Sequence, residues 1–410
     1  MVSLALSLSL SSSVLRKSID RASGRCAFSN TITVVLANKN NATATPIQLH
    51  TEWIAPAASR KGHDENELKG NDTDKGKDEH YTILFMHGLL GSGRNLKTFA
   101  RKVVQQQSSN RGSCRGGILM DLRGHGSSFQ TQKREEHGKI LGDVGNDIDN
   151  NNNNKYGSAS TFQDCAQDIK YTLQEFQNTD TQQKQQQALP PTATTTTTTT
   201  PPTQVFVGHS FGGRLALEYA ASVAKIQPLK ALWLLDTVPG QANESVDRVL
   251  ATITNVLNDS SSSKSSKSKP LTKKEIVSVL TAPPHEMDLP TAQWLAMSYD
   301  EKSGDNFGFD NDFVTRLKPE FEQQDFTGLL REILDAEAPT TAAAATANKK
   351  TQVHVVRGGK NIGWSIPILS ELEKVRKEFP TNFHLHVLPS AGHNVHVDDL
   401  QGLVKLFAGR

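Results

Sequence analysis

Gly208-His209-Ser210-Phe211-Gly212 places a serine between glycines, directly after the apolar run Gln204 to Val207 and directly before a helical pattern beginning at Gly213. This G-x-S-x-G spacing lets a strand turn sharply into a helix, so that the serine Oγ projects, strained, at the edge of a sheet. The helix start beneath it adds the positive end of a dipole where negative charge would develop. The competing reading is a glycine-rich turn with an incidental serine, but strand, turn and helix signals together favour a nucleophile. Attack on a carbonyl then calls for a base, an acid that orients the base, and donors for an oxyanion.

Ser390-Ala391-Gly392-His393-Asn394-Val395-His396 follows the run Phe383 to Leu388 near the end of the chain. A histidine in a turn after the last strand can reach the elbow, take the serine proton and return it to the leaving group. His393 is the candidate base, with His396 as its competitor. His384 and His386 alternate along the strand itself and read as outward-facing structural residues. Elimination identifies the acid. The segment after the strand Val353 to Val356, RGGKNIGWS (Arg357 to Ser365), contains no carboxylate, and Glu371 lies inside the following helix. Asp236 ends the run ALWLLD and is the expected acid, against the alternative of a loop-capping aspartate. His87-Gly88-Leu89-Leu90-Gly91 follows YTILFM, and its glycines would let the backbone approach a reacting carbonyl. The amides of Leu89 and Phe211 are the expected oxyanion donors, with His87 supporting the loop. Asp121-Leu122-Arg123-Gly124-His125-Gly126-Ser127-Ser128 closes another strand, and Asp121, Arg123 and His125 read as turn-fixing residues. A nucleotide-binding loop is disfavoured there, because neither G-x-G-x-x-G nor a Walker lysine occurs.

These segments need a frame that collects strand ends. Candidate strands are Thr31 to Leu36, Ile47 to Trp53, Tyr81 to Met86, Gly117 to Asp121, Gln204 to Val207, Ala231 to Asp236, Val353 to Val356 and Phe383 to Leu388. Short apolar runs without a polar face suit a parallel sheet covered on both sides. Helical patterns at Leu96 to Val104, Thr161 to Phe176, Gly213 to Ala224, Ile366 to Phe379 and Asp398 to Phe407 alternate with them. Right-handed crossovers then bring the parallel strands' carboxyl ends to one edge. Between Gly240 and Ala345 only helical candidates appear: Lys273 to Leu280, Thr291 to Met297 and Gly328 to Ala336. This stretch reads as a helical lid inserted after the sixth strand.

Composition sets the outer limits. The 410 residues carry 45 basic and 43 acidic side chains, a net charge of +2, so no large positive field exists to hold nucleic acid. Three cysteines, Cys26, Cys114 and Cys165, without C-x-x-C spacing disfavour a disulfide scaffold and a structural zinc site, and no cofactor or metal is expected. No run of about 18 apolar residues is present to span a bilayer as a helix. The apolar fraction of 36% is low because polar insertions near 60–80, 138–157 and 181–202 dilute it. Ser260 to Lys269 reads as a solvated loop. Residues 1–30, Ser-rich with Arg16, Lys17, Arg21 and Arg25 against Asp20, fit an organelle-targeting segment, with mitochondrion preferred over plastid. The expected organisation is this leader, a core of 31–239 and 346–410 carrying the insertions, and a lid of 240–345.

HGLLGSGRN, DLRGHGSS, VGHSFGGRLAL, LLDTVPG, VRGG and AGHNVH together resemble the α/β-hydrolase superfamily. The likeness is closer to the family called abhydrolase domain-containing protein 11 and its bacterial esterase relatives. It spans roughly Ile47 to the end, outside the insertions. The resemblance implies an acid after the sixth strand, consistent with Asp236, and a serine hydrolase acting on a small-molecule acyl ester. The polar insertions and the lid depart from the family pattern, so substrate identity is the least transferable property. A carbon-carbon bond hydrolase also keeps a serine at the elbow and stays open, as does a non-catalytic binding protein. An aspartate-nucleophile dehalogenase or epoxide hydrolase is disfavoured by Ser210.

Overall fold

YTILFM and the other apolar runs have no side to present to water, and they stand side by side in one sheet. The computed structural model describes residues 45–56, 81–111, 114–131, 161–186, 203–240, 244–262, 270–304, 306–336 and 350–409. Seven strands, β1 (Thr51–Ile54), β2 (Tyr81–Met86), β3 (Cys114–Met120), β4 (Thr203–His209), β5 (Ala231–Leu235), β6 (Gln352–Gly358) and β7 (Phe383–Leu388), lie in the order β1-β3-β2-β4-β5-β6-β7. Only β1 runs antiparallel to its neighbour. Alternate residues divide between two cores. Leu84, Met86, Phe206 and Leu234 face one, and Ile83, Phe85, Val207 and Leu235 the other, so the central strands β2, β4 and β5 bury apolar residues on both faces. The helix Phe211–Val223 covers the first face, and Gly93–Arg111 with Leu400–Ala408 the second.

Register delivers the site. His209 lies opposite Leu235, and Leu235 opposite Val356. Ser210, Asp236 and the segment after β6 therefore leave the sheet side by side at its carboxyl edge. The segments after β2, β3 and β7 leave at the same edge.

Several expected bounds shift. Asp121 and Asp236 lie just beyond β3 and β5, and Asp236 turns the chain with φ of 45°. The helix expected to end at Phe176 runs Phe162–Gln186, into the first residues of the Gln-rich insertion. Lack of apolar residues argues against a packed core but not against helix, which glutamine tolerates well. Between β5 and β6 the three expected helices are present as Lys273–Thr281, Leu289–Ser298 and Phe326–Asp335. Two further helices accompany them. Glu244–Ser262 extends into the serine run that reads as a loop, and Asn311–Gln323 contains Pro319. Asp310 starts the latter by accepting from the amides of Asp312 and Phe313. This segment follows the fifth described strand. The candidate strand Thr31 to Leu36, the leader 1–30 and the insertions 60–80, 138–157 and 187–202 lie outside the described residues.

Candidate active site

Ser210 sits between β4 and the helix Phe211–Val223 with φ of 51°, a backbone conformation that costs a non-glycine residue energy and that its surroundings must impose. They do so through close packing. The Ser210 amide donates to Leu235 O at 2.9 Å, and the amides of Gly213 and Arg214 close back on Ser210 O. A Cβ on Gly208 would lie 2.4 Å from Gly212 O, and one on Gly212 would lie 2.5 Å from His87 O. The glycines of the motif are therefore required by contact.

The loop after β2 reaches the serine. A Cβ on Gly88 would stand 3.4 Å from Ser210 Cβ and 2.8 Å from His209 Nδ1. The amides of Leu89 and Phe211 donate to no acceptor among the described residues. Two buried histidines lock this loop to the one after β3. Leu122 N donates to His87 Nε2 at 3.0 Å, while Leu90 N donates to His125 Nε2 at 3.2 Å. Each Nδ1 donates in turn to a backbone carbonyl, Gly88 O for His87 and Arg123 O for His125. Both rings are thus neutral and fully engaged. Burial pushes His125 down to about 3 and lowers His87 as well. Asp121 accepts from the amides of Gly93 and Ser127, both at 2.7 Å, and Arg123 forms a buried two-pronged pair with Asp168. All three DLRGHGSS residues fix the loop, as expected.

Asp236 is wholly buried and filled with donors. Oδ1 accepts from Gly358 N and Trp364 Nε1, both at 2.7 Å; Oδ2 accepts from Asn361 Nδ2 at 2.5 Å and from His393 Nδ1 at 2.7 Å. With its Nδ1–H on the carboxylate, His393 keeps Nε2 as an acceptor. Its side chain is 48% exposed, open to a substrate. His209 Nε2 donates to His393 O at 3.0 Å, tying the turn that carries His393 to the residue before Ser210. His396 is buried against His209, with ring centroids 4.6 Å apart, and burial pushes it down to about 4. The histidine ring that donates to the Asp236 carboxylate is that of His393. Glu371 pairs with Lys374 on the surface helix Ile366–Glu378. His384 and His386 are half-buried and stack near the buried His354, which lies on Trp233. Among the described residues no three side chains are arranged to hold a metal.

Sequence reasoning overlooked four contributors: Asn361, Trp364, His209 and Arg214. The first two lie in RGGKNIGWS, the segment notable for lacking a carboxylate. Arg214 is buried and has no carboxylate partner among the described residues. It donates to the carbonyls of Val238, Gly240 and Phe321 and to Gln324 Oε1, joining the elbow helix to both the start of the helical segment and its helix Asn311–Gln323. Phe211 touches Phe321, and His125 touches Phe309 and Phe313, so that segment packs on both loops of the site.

Comparison with known proteins addresses the family and the fold. The sequence pattern of the Alpha/beta hydrolase family matches residues 83–406, which include Leu89, Ser210, Phe211, Asp236 and His393. No curated protein matches the sequence. Among solved structures, a marine microorganism esterase superposes with a TM-score of 0.50 at 14% identity, covering 88% of this chain and 97% of that one. A peroxisomal alpha-beta-hydrolase from Saccharomyces cerevisiae gives a TM-score of 0.49 at 14% identity, over 89% of this chain and 88% of its own. At these identities the structures speak to the fold alone, and it is the extent of the family match that decides membership: this chain belongs to the alpha/beta hydrolase family.

Proposed function

We propose that this hydrolase cleaves carboxylic esters or thioesters through an acyl-enzyme intermediate, with Ser210 as nucleophile, His393 as base and Asp236 as acid. The observation that carries the reading is the bond from His393 Nδ1 to the buried Asp236 Oδ2 at the edge where Ser210 projects. His393 Nε2 takes the Ser210 proton as Oγ attacks the acyl carbon, and the imidazolium so formed lies on a carboxylate that needs no reorganisation. The Leu89 and Phe211 amides, with the start of the helix Phe211–Val223 behind them, receive the oxyanion. Collapse of the tetrahedral intermediate returns the proton to the leaving alkoxide or thiolate. Water, deprotonated by the same imidazole, then releases the acid. The helical segment between β5 and β6 acts as a lid over the acyl pocket, a reading supported by its contacts with Phe211 and His125.

Ser210→Ala tests the assignment. Turnover of a simple acyl ester is expected to fall on the order of 10⁴-fold or more, with loss of labelling by a fluorophosphonate and little change in melting temperature. A variant that kept a tenth of the wild-type rate would remove Ser210 from the mechanism.

A further inference from the structure

Resting on that reading, we propose that Trp364 and Asn361 are positioning residues for the reaction, acting through Asp236 to hold His393 in its productive orientation. An ionised carboxylate offers about four acceptor directions. Those of Asp236 are taken by Gly358 N, Trp364 Nε1, Asn361 Nδ2 and His393 Nδ1, so the carboxylate has one orientation that satisfies every donor around it. Removal of a side-chain donor leaves a buried lone pair unmatched and frees the group to turn away from the imidazole.

The donors are themselves held. Asn361 Oδ1 accepts from Gly363 N at 2.9 Å, which orients its Nδ2 toward Asp236. The Trp364 side chain is buried. The same segment grips the turn that carries the base: Gly359 N donates to Leu388 O at 2.8 Å and Lys360 N to Ala391 O at 2.9 Å. At Gly358 a Cβ would lie 2.0 Å from Gly392 O, so the two backbones meet directly beside His393. One short segment after β6 thus sets acid and base relative to each other. It supplies no carboxylate of its own and supplies instead the hydrogen bonds that fix the carboxylate of the neighbouring strand.

Trp364→Phe keeps an aromatic ring at the buried position but deletes the indole N–H together with the five-membered part of the bicycle. Steady-state hydrolysis of one acyl ester by the full chain should show kcat lowered roughly tenfold or more, the weight of a hydrogen bond to an ionised acceptor, with KM changed less than about twofold. Asn361→Ala, on the other carboxylate oxygen, should behave alike without touching the buried indole. Both penalties should vanish in an Asp236→Ala background, because a residue acting through the carboxylate has nothing left to position. A general packing role would persist in that background. Unchanged kcat in both single variants, or equal penalties with and without Asp236, would overturn the proposal while Ser210→Ala still abolished turnover. Turnover indifferent to Ser210→Ala would instead remove the serine mechanism itself.

Discussion

Two sets of histidines gather at the carboxyl edge of the sheet, and they differ in what their ring nitrogens face. His87 and His125 are buried, with both nitrogens spent on backbone groups of two neighbouring loops. His393 is half-exposed, with Nδ1 on a buried carboxylate. The first pair acts as a clamp, since each ring accepts an amide from the other's loop and neither can take a proton without losing that bond. The single histidine has the opposite arrangement: its charged form has a partner waiting. All three histidines stand beside glycines after strands; their motifs set His393 apart as the expected base, and the partners of the ring nitrogens are what the structure adds.

The largest expected effect separates them directly. His393→Ala should lower ester turnover on the order of 10⁴-fold or more while leaving the melting temperature close to wild type. A thermal melt alongside the rate assay checks both halves. If stability collapsed instead, His393 would belong with the clamp. Asp236→Asn should follow at about 10³- to 10⁴-fold in turnover, since a neutral amide favours the wrong tautomer and leaves the imidazolium unsupported.

The clamp is tested through stability. His125→Ala strands the Leu90 amide and the Arg123 carbonyl in a buried position, and should cost about 3 kcal/mol in denaturant unfolding. A loss under roughly 0.5 kcal/mol would show that the two loops hold without it.

Acid titration sharpens the same contrast. His87, His125, His209 and His396 are all pushed below the ordinary histidine value, chiefly by burial, with His125 at about 3 and His396 at about 4. Between about pH 6.5 and those folded-state values the unfolded chain binds protons that the folded chain refuses. Stability should therefore be full above pH 6.5 and fall as the pH drops, by roughly 1.4 kcal/mol per pH unit for each such histidine. Denaturant midpoints at pH 7 and pH 5 measure it, and equal midpoints would contradict the neutral clamp. The smallest effect is expected at Glu371→Gln, which should change turnover less than about twofold because Glu371 pairs with Lys374 at the surface. A large loss there, with a mild one for Asp236→Asn, would move the acid to the later helix.

Much of this frame can be read from local pattern. A six-residue run such as YTILFM is apolar on both its faces from Ile83 to Met86, and the structure buries both. G-x-S-x-G between a strand and a helix carries its own steric logic, visible in the close approach of Gly212 to His87 O. The helix Asn311–Gln323 was harder to see, because Pro319 breaks its local signal while Asp310 and the packing of Phe313, Val314, Leu317 and Phe321 sustain it. Asp236 is reached from the sequence by elimination, yet its positive φ and its place beyond β5 belong to the structure, where its side chain meets the segments after β6 and β7.

The sequence by itself determined the alternation of strand and helix, the placement of each motif at a strand end, and hence the edge where serine, acid and base would meet. These are short-range properties, set by side-chain period and by turn-forming residues. Only the tertiary structure decided which backbone groups His87 and His125 would meet, and that Asn361 and Trp364 would close on Asp236. Those contacts join residues separated by more than a hundred positions, such as Asp236 with Trp364 and His393. Their geometry exists only once strand register has brought β5, β6 and β7 side by side, since no local preference encodes a distance between chains that meet through the sheet.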